Sequence, residues 1–146
     1  MFARSLAFSL LALTMACSSP LPFMSGGELS GEEQPAPAEW AFEEDFGVIQ
    51  LETRPEDPYS VNIAYTQRAG QLYIYAGDTE TQWVKNMEAD PLVRLRHSDV
   101  IYALRAERVL DPEEISNFAE VWNDASIFHR DPAELDEVWL YRLTAP

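Results

Sequence analysis

Alternation of apolar and polar residues dominates the chain beyond residue 46. It is clearest in Tyr59–Arg68, where Val61, Ile63 and Tyr65 fall on one side of an extended chain. A period of two residues is typical of a β-strand with one buried face. The predicted strands are Gly47–Glu52, Tyr59–Arg68, Leu72–Ala76, Leu92–His97, Val100–Leu110 and Asp136–Leu143.

A first helix is predicted between the third and fourth strands. Thr79 and Gln82 stand at the spacing of a capping box. Trp83 and Met87 follow four residues apart, so they share one face of the helix, where core packing is the expected role. The helix should end before Pro91, because the residue preceding a proline is pushed out of helical geometry.

A second helix is predicted after the fifth strand. Asp111, Pro112 and Glu114 form a strong start signal, with a capping side chain, a proline in the first turn and a capping-box acid. An apolar stripe follows, made of Ile115, Phe118, Ala119 and Trp122. A short helix over Trp40–Phe46 and a turn at Asp131–Glu134 complete the predicted elements.

The order of these elements is β-β-β-α-β-β-α-β. Strands joined mainly by hairpins, with two to three short helices, indicate a closed antiparallel barrel and not a doubly wound parallel sheet. We therefore predict an α+β, mainly β domain with a six-stranded antiparallel barrel over residues 40–146.

The first residues have the composition of an export signal. Arg4 precedes an apolar stretch, Leu6–Leu13, that is too short to span a bilayer. The sole cysteine, Cys17, follows Ala16, which resembles a bacterial lipobox. This predicts a lipoprotein signal peptide over residues 1–16 and lipidation of Cys17. An ordinary signal peptide cut at Ala16 and a buried free cysteine are the alternatives.

The predicted anchor has consequences for location. Cys17 would carry acyl chains such as palmitate, so the partner of the protein would be a membrane in the bacterial cell envelope. Ser18 follows the cysteine directly. By resemblance to Gram-negative lipoproteins, an uncharged residue at this position implies sorting to the outer membrane, with the protein facing the periplasm. Residues 17–39 are rich in Ser, Pro, Gly and Glu, which predicts a disordered tether.

Charge and composition narrow the function. The formal net charge of −15 over 146 residues argues against nucleic acid and against electrostatic docking on anionic lipid. The two histidines, His97 and His129, are not accompanied by a metal-binding motif, so no metal site is predicted. No motif identifies catalytic residues.

One stretch carries a family resemblance. The residues Trp83, Asn86, Met87, Asp90-Pro91, Val93 and Leu95 resemble the signature W-x-x-N-L-x-x-N/D-P-x-V-x-V/L of split-barrel flavin- and deazaflavin-binding proteins. These are the pyridoxamine-phosphate-oxidase-like and deazaflavin-dependent nitroreductase-like families. The resemblance implies a split barrel that forms a homodimer, with a flavin between the two protomers and flavin-type oxidoreductase activity.

The resemblance also implies where a cofactor would bind. FMN is the expected cofactor, and a deazaflavin is the less favoured one. Its phosphate would lie at the start of the first helix and its ring against the second and third strands. The implied cofactor-binding residues are Thr79, Thr81, Lys85, Asn62, Tyr65 and Tyr75, with Tyr73 as a further ring contact. For Lys85, a solvated surface position is the competing interpretation.

The sequence departs from the family pattern where basic residues should hold the phosphate. The segment before the helix contains Asp78 and Glu80 and no base. A cofactor-free split barrel that serves as a binding or assembly module of the envelope is therefore the alternative function. Four arginines on the fourth and fifth strands either form a cationic patch for an anionic ligand or pair with acids across strands. They are Arg94, Arg96, Arg105 and Arg108.

Overall fold

The computed structural model describes residues 19–127 and 130–146. Strands and helices follow the predicted order, with one additional strand at the amino-terminal side. The elements are β1 (Glu32–Gln34), β2 (Phe46–Thr53), β3 (Tyr59–Arg68), β4 (Gln71–Tyr75), α1 (Gln82–Ala89), β5 (Leu92–His97), β6 (Val100–Arg108), α2 (Pro112–Ala125), a single 3₁₀ turn (Pro132–Glu134) and β7 (Leu140–Thr144).

Strands β2 to β7 close into a barrel. Its order is β2-β3-β4-β7-β6-β5, and β5 pairs with β2 to complete the ring. Every pair of neighbours in this ring is antiparallel. The predicted six-stranded antiparallel barrel, in a mainly β domain with two short helices, is therefore confirmed.

The barrel is split at strand β6. One edge of β6 pairs with β5 from Val100 to Arg105. The other edge is divided, because β7 takes Arg105–Arg108 and β1 takes Val100–Tyr102 in parallel register. The backbone groups that β7 leaves unpaired thus find their partners in a segment that precedes the barrel in sequence.

The structure differs here from the predicted disordered tether. Residues 19–39 contact β2, β3, β5 and β6, and Leu29 is buried with 1% of its surface exposed. Gly26 and Ser60 exchange two backbone hydrogen bonds of 2.8 and 3.0 Å. The composition misleads because the segment gains its order from barrel partners that lie far away in sequence.

A buried ion pair holds this segment to the barrel. Glu52 on β2 is 2% exposed and lies opposite Arg94 on β5, whose Nη1 donates to its carboxylate at 3.1 and 3.2 Å. The backbone N–H of Leu29 donates to the same carboxylate at 2.5 Å. Arg94 also contacts Glu33 at 3.3 Å. One carboxylate and one guanidinium therefore join two barrel strands to the amino-terminal segment.

The four arginines do not form a shared cationic patch. Arg94 pairs with Glu52 across strands, and Arg96 donates to Ser19 Oγ and the Ser30 carbonyl. Arg108 lies over the ring of Trp139 at 3.7 Å. Arg105 is exposed. Glu107, an acid on the same strand as Arg105 and Arg108, pairs instead with Arg142 at 3.1 Å.

The interior of the barrel is apolar, and α1 covers one side of it. Trp83, Val84 and Met87 of this helix are buried in the main core cluster, as their helical spacing predicts. A bulky apolar set from all six strands fills the rest. It includes Ile49, Leu51, Tyr65, Leu72, Ile74, Val93, Leu95, Leu104, Tyr141 and Leu143.

Helix α2 packs on the outer surface of the barrel. Its predicted stripe is correct, since Phe118, Ala119 and Trp122 are buried and Ile115 is partly buried. Asp111 caps the helix as predicted, accepting from the N–H of Glu114 at 3.2 Å. The helix forms a second apolar cluster with Tyr73, Tyr75, Val109, Val138 and Leu140.

Two helix predictions are wrong, and the last predicted strand, Asp136–Leu143, is in the structure the shorter β7 (Leu140–Thr144). Helix α1 begins at Gln82 with Thr81 as its N-cap, so Thr79 does not cap it. Trp40–Phe46 forms no helix, because Trp40 donates its backbone N–H to the Gly70 carbonyl and its side chain is buried in the barrel core. Docking onto the barrel replaces helical hydrogen bonds in this segment.

The predicted signal peptide, Cys17 and His129 lie outside the described residues. Within residues 19–127 and 130–146, no helix is both long and apolar enough to cross a membrane.

Removal of the buried carboxylate tests how strongly the amino-terminal segment is held. Glu52→Ala should lower the free energy of unfolding by about 3 kcal/mol, because it leaves Arg94 and the Leu29 N–H without their buried acceptor. Urea unfolding measures this change. Arg105→Ala, at an exposed position of the same barrel, is the control and should shift stability by less than about 0.5 kcal/mol. Equal effects of the two changes would contradict the proposed importance of the pair.

Candidate functional site

A cleft lies on the outside of the barrel where β3 and β4 meet the two helices. Its volume is about 380 Å³, within the size range of small-molecule sites. The cleft is lined by Asn62, Ile63, Ala64, Tyr75, Ala76, Gly77, Thr81, Trp83, Trp122 and Arg130. Four separate parts of the chain therefore meet around one concave surface.

The sequence builds this cleft from three local features. The alternation of β3 and the end of β4 present Ala64 and Tyr75 toward α2. Gly77 then turns the chain with a φ of +67°, a conformation that favours glycine. The turn leads to Thr81 at the start of α1, so that this helix begins beside Tyr75.

Three buried polar atoms on residues that line the cleft have no hydrogen-bond partner among the described residues. They are Tyr75 Oη, Thr81 Oγ1 and Trp122 Nε1. Trp122 as a whole is 6% exposed. Buried polar groups without partners are costly and uncommon in folded proteins. Eight such side-chain atoms occur among the described residues, and three of them belong to residues that line this cleft, which makes it the candidate ligand site.

The start of α1 adds donors to this set. The first amide groups of an α-helix have no acceptor within the helix, and the Thr81 side chain makes no capping bond to them. Arg130 also lines the cleft, and its guanidinium pairs with Asp78. The cleft is therefore lined by the start of α1, two residues with hydroxyl groups, two tryptophans and one cation.

Aromatic rings form the floor of the cleft. Tyr75 packs edge-on against Trp122 with ring centroids 4.8 Å apart. Burial raises the pKa of Tyr75 to about 12, with a further rise from the carboxylate of Asp78 and an opposing effect from Arg130. Tyr75 is consequently a neutral phenol at physiological pH and keeps its O–H as a donor.

Three of the six predicted cofactor-binding residues come together in this cleft. Asn62, Tyr75 and Thr81 all line it, although they belong to β3, β4 and the start of α1. Asn62 is partly engaged elsewhere, since its Nδ2 donates to the Pro20 and Leu21 carbonyls at 3.2 and 3.1 Å.

The other three lie outside its lining. Tyr65 points into the barrel core, where its hydroxyl donates to the Glu44 carbonyl at 3.0 Å. Thr79 is exposed and contacts Asp78, and Lys85 is exposed on α1. Tyr73, the further ring contact, packs under α2 and donates to Glu114 at 2.9 Å.

Sequence reasoning missed two residues of the cleft, Trp122 and Arg130. Trp122 was recognised only as part of an apolar helix stripe, because its unpaired indole N–H leaves no trace in the pattern. Arg130 lies 52 positions after Asp78, its partner. A lone arginine between the second helix and the Asp131 turn signal was the one available hint, and it does not reveal which segment it approaches.

Solved structures show the same architecture. A NimC/NimA family protein from Clostridium acetobutylicum matches with a TM-score of 0.52 and 16% identity, over 68% of this chain and 73% of that one. The chain has the split-barrel fold. This confirms the fold that the Trp83–Leu95 resemblance implies, while identity at this level speaks for the fold alone.

Two further structures match less closely. A candidate pyridoxamine 5′-phosphate oxidase from Listeria innocua has a TM-score of 0.49 and 15% identity, over 67% of this chain and 82% of that one. A conserved hypothetical protein from Mycobacterium tuberculosis has a TM-score of 0.48 and 19% identity, over 67% and 72%. No protein-family model matches the chain, and no curated protein matches it in sequence.

The raised tyrosine pKa values predict loss of stability at alkaline pH. The pKa of Tyr75 rises from 10.0 to about 12 on folding, so its contribution is complete below pH 10 and declines as the pH approaches 12. The free energy of unfolding should fall across this interval. Denaturant titrations at several pH values measure it, with tyrosinate absorbance as the direct readout. Tyr75→Phe should make the fall shallower, and an unchanged slope would contradict the assignment.

Proposed function

We propose that this domain binds a planar aromatic small molecule with polar or anionic groups in the cleft, and that FMN is the ligand that makes it a flavin-type oxidoreductase. The observation that carries the proposal is that Arg130 and three residues with unpartnered polar atoms line one aromatic-rich cleft. The split-barrel fold supports flavin as the ligand by analogy.

The residues of the cleft fit the two halves of FMN. Trp122, Trp83 and Tyr75 offer apolar surface and N–H or O–H donors to a flat ring. Thr81, the amides at the start of α1 and Arg130 would hold a phosphate. Bound flavin would supply hydride-transfer chemistry, and the protein would supply position and electrostatics.

A homodimer forms part of this proposal. The split-barrel resemblance implies that a flavin lies between two protomers, and the cleft opens on the outside of the barrel, where a second copy would cover it. A deazaflavin is the second choice of cofactor, because FMN needs less space in a cleft of this size.

A second function is favoured by the acids beside the cleft. Asp78 already pairs with Arg130, and Glu80 lies exposed before α1. These carboxylates oppose a doubly charged phosphate. A cofactor-free split barrel that binds a neutral or weakly anionic ligand, or an envelope partner, is therefore the alternative.

Flavin retention separates the two functions. The purified full-length protein should retain FMN after incubation and desalting, visible in its absorbance spectrum. Arg130→Gln and Thr81→Val should each weaken binding about tenfold, because each removes one hydrogen-bonding or charged group from the phosphate end.

The matched control is Lys85→Gln, which removes an exposed base from the same helix outside the cleft. It should leave FMN affinity unchanged. A folded protein that retains no flavin would reject the oxidoreductase and favour the cofactor-free module. Loss of affinity in Lys85→Gln equal to that in Arg130→Gln would place the flavin elsewhere.

We further propose that the protein is a lipoprotein anchored through Cys17 in the bacterial cell envelope, in the outer membrane and facing the periplasm. The support is the sequence around the sole cysteine, with its apolar stretch, the small residue before it and the uncharged Ser18 after it.

Substitution of the lipidated thiol tests this anchor. Cys17→Ser removes the nucleophile that would accept the lipid, so the protein should lose its acyl-chain mass and leave the outer-membrane fraction. Ser18→Ala, which keeps the thiol, is the control and should remain lipidated. Unchanged mass and unchanged fractionation of Cys17→Ser would show that the anchor is wrong.

A further inference from the structure

The loop that follows the predicted anchor presents three large apolar side chains to solvent. Leu21 is 55% exposed, Met24 is 63% exposed and Phe23 is fully exposed. Single exposed apolar residues are common on protein surfaces, but three within four positions form a patch. Pro20 and Pro22 flank Leu21 and stiffen the loop.

The barrel holds this loop in a defined shape. Asn62 on β3 donates to the Pro20 and Leu21 carbonyls, and the N–H of Met24 donates to the Leu21 carbonyl at 3.1 Å. The Gly26–Ser60 hydrogen bonds fix its far end. The apolar side chains are thus carried on a turn attached to a rigid strand.

Phe23 has a backbone conformation that is unfavourable for a residue with a bulky side chain. Its φ is +65°, in the left-handed region where bulky residues are uncommon. Such conformations persist where surrounding contacts enforce them, and they cluster at functional positions. A glycine or asparagine would adopt this conformation with less strain. An exposed phenylalanine at this position therefore indicates a contact with something outside the folded domain.

We propose that Leu21, Phe23 and Met24 insert into the interfacial region of the bilayer and dock the domain on the membrane. The proposal rests on the Cys17 anchor proposed above. Phe23 follows Cys17 by six positions, and six residues span at most about 20 Å. The loop is consequently held within reach of the bilayer in which the acyl chains are embedded.

Charge favours a lipid surface as the occupant. Residues 18–27 contain no charged side chain, in a chain whose formal net charge is −15. An uncharged apolar loop can enter the boundary between headgroups and acyl chains, to a depth of about 5–10 Å, without burying an ion. Acidic residues elsewhere would be repelled by anionic lipid, so this face is the one suited to approach the bilayer.

Docking through this loop would also orient the cleft. Asn62, which holds the loop, lines the cleft as well, and Ile63 and Trp83 line both the cleft and the groove beneath the loop. The membrane-contact loop and the proposed ligand site are therefore neighbours on one side of the barrel.

Lipid quenching of an added tryptophan tests the contact. The four native tryptophans, Trp40, Trp83, Trp122 and Trp139, are buried and give a constant background. Full-length lipidated Phe23→Trp is reconstituted in phosphatidylethanolamine–phosphatidylcholine vesicles with brominated acyl chains. Its added emission should be quenched and shifted to shorter wavelength. Leu110→Trp, at an exposed apolar position between β6 and α2, should show neither change.

The remaining outcomes are distinct. Met24→Trp provides a second reporter if Phe23→Trp does not fold, and it should also be quenched. Equal quenching of the loop variant and Leu110→Trp would overturn the proposal while leaving the anchor intact. If the protein carries no lipid, the same vesicles are added to it. Quenching of the added tryptophan would then support the loop contact, and its absence would overturn the proposal. A blue shift that follows protein concentration in the absence of vesicles would indicate a second copy and overturn the proposal.

Discussion

Pairing of the backbone along both edges of β6 is the constraint on which the rest of the structure depends. A closed barrel leaves no free strand edge, but β7 reaches only the last part of β6. The first part would expose unpaired N–H and C=O groups, a known route to aggregation. The chain resolves this by returning its own amino-terminal segment as β1, in parallel register with Val100–Tyr102.

Addition of β1 explains why a polar, Pro- and Gly-containing segment is ordered. Once β1 is paired, Leu29 reaches an apolar position against the barrel and Glu52 becomes buried beneath the segment. A buried carboxylate requires a charged or hydrogen-bonding partner, and Arg94 and the Leu29 N–H provide both. The amino-terminal segment and the barrel are therefore one cooperative unit.

Much of the barrel could be predicted because its signals are local. The strands Tyr59–Arg68 and Leu92–His97 have the predicted bounds. Their signals, the alternation of apolar and polar residues and the turn residues on either side, lie in neighbouring positions of the sequence. The Asp111 cap and the Phe118 stripe are local in the same sense. Order in residues 19–39 was not predictable, because it arises from partners such as Asn62, Ser60 and Arg94 that are distant in sequence.

The candidate site was predictable only in part, for the same reason. Tyr75 and Thr81 flank the predicted crossover from strand to helix, so their neighbourhood follows from the order of the elements. Arg130 and the indole N–H of Trp122 enter from α2 and the segment after it, and only the packing of that helix brings them to the cleft. Arg130 thus brings a base to a cleft whose segment before α1 contains none.

Asn86, the polar residue of the Trp83–Leu95 signature, has a consequence for how the cleft recognises a ligand. Its buried amide donates to Thr53 Oγ1 at 2.8 Å and accepts from Gln82 at 2.9 Å. Helix α1 is thereby fixed to β2, so the wall formed by Thr81 and Trp83 is in place before any ligand arrives. Ligand binding would then cost the protein little conformational entropy. Selection among ligands would depend on their shape and desolvation and not on closure of the protein around them.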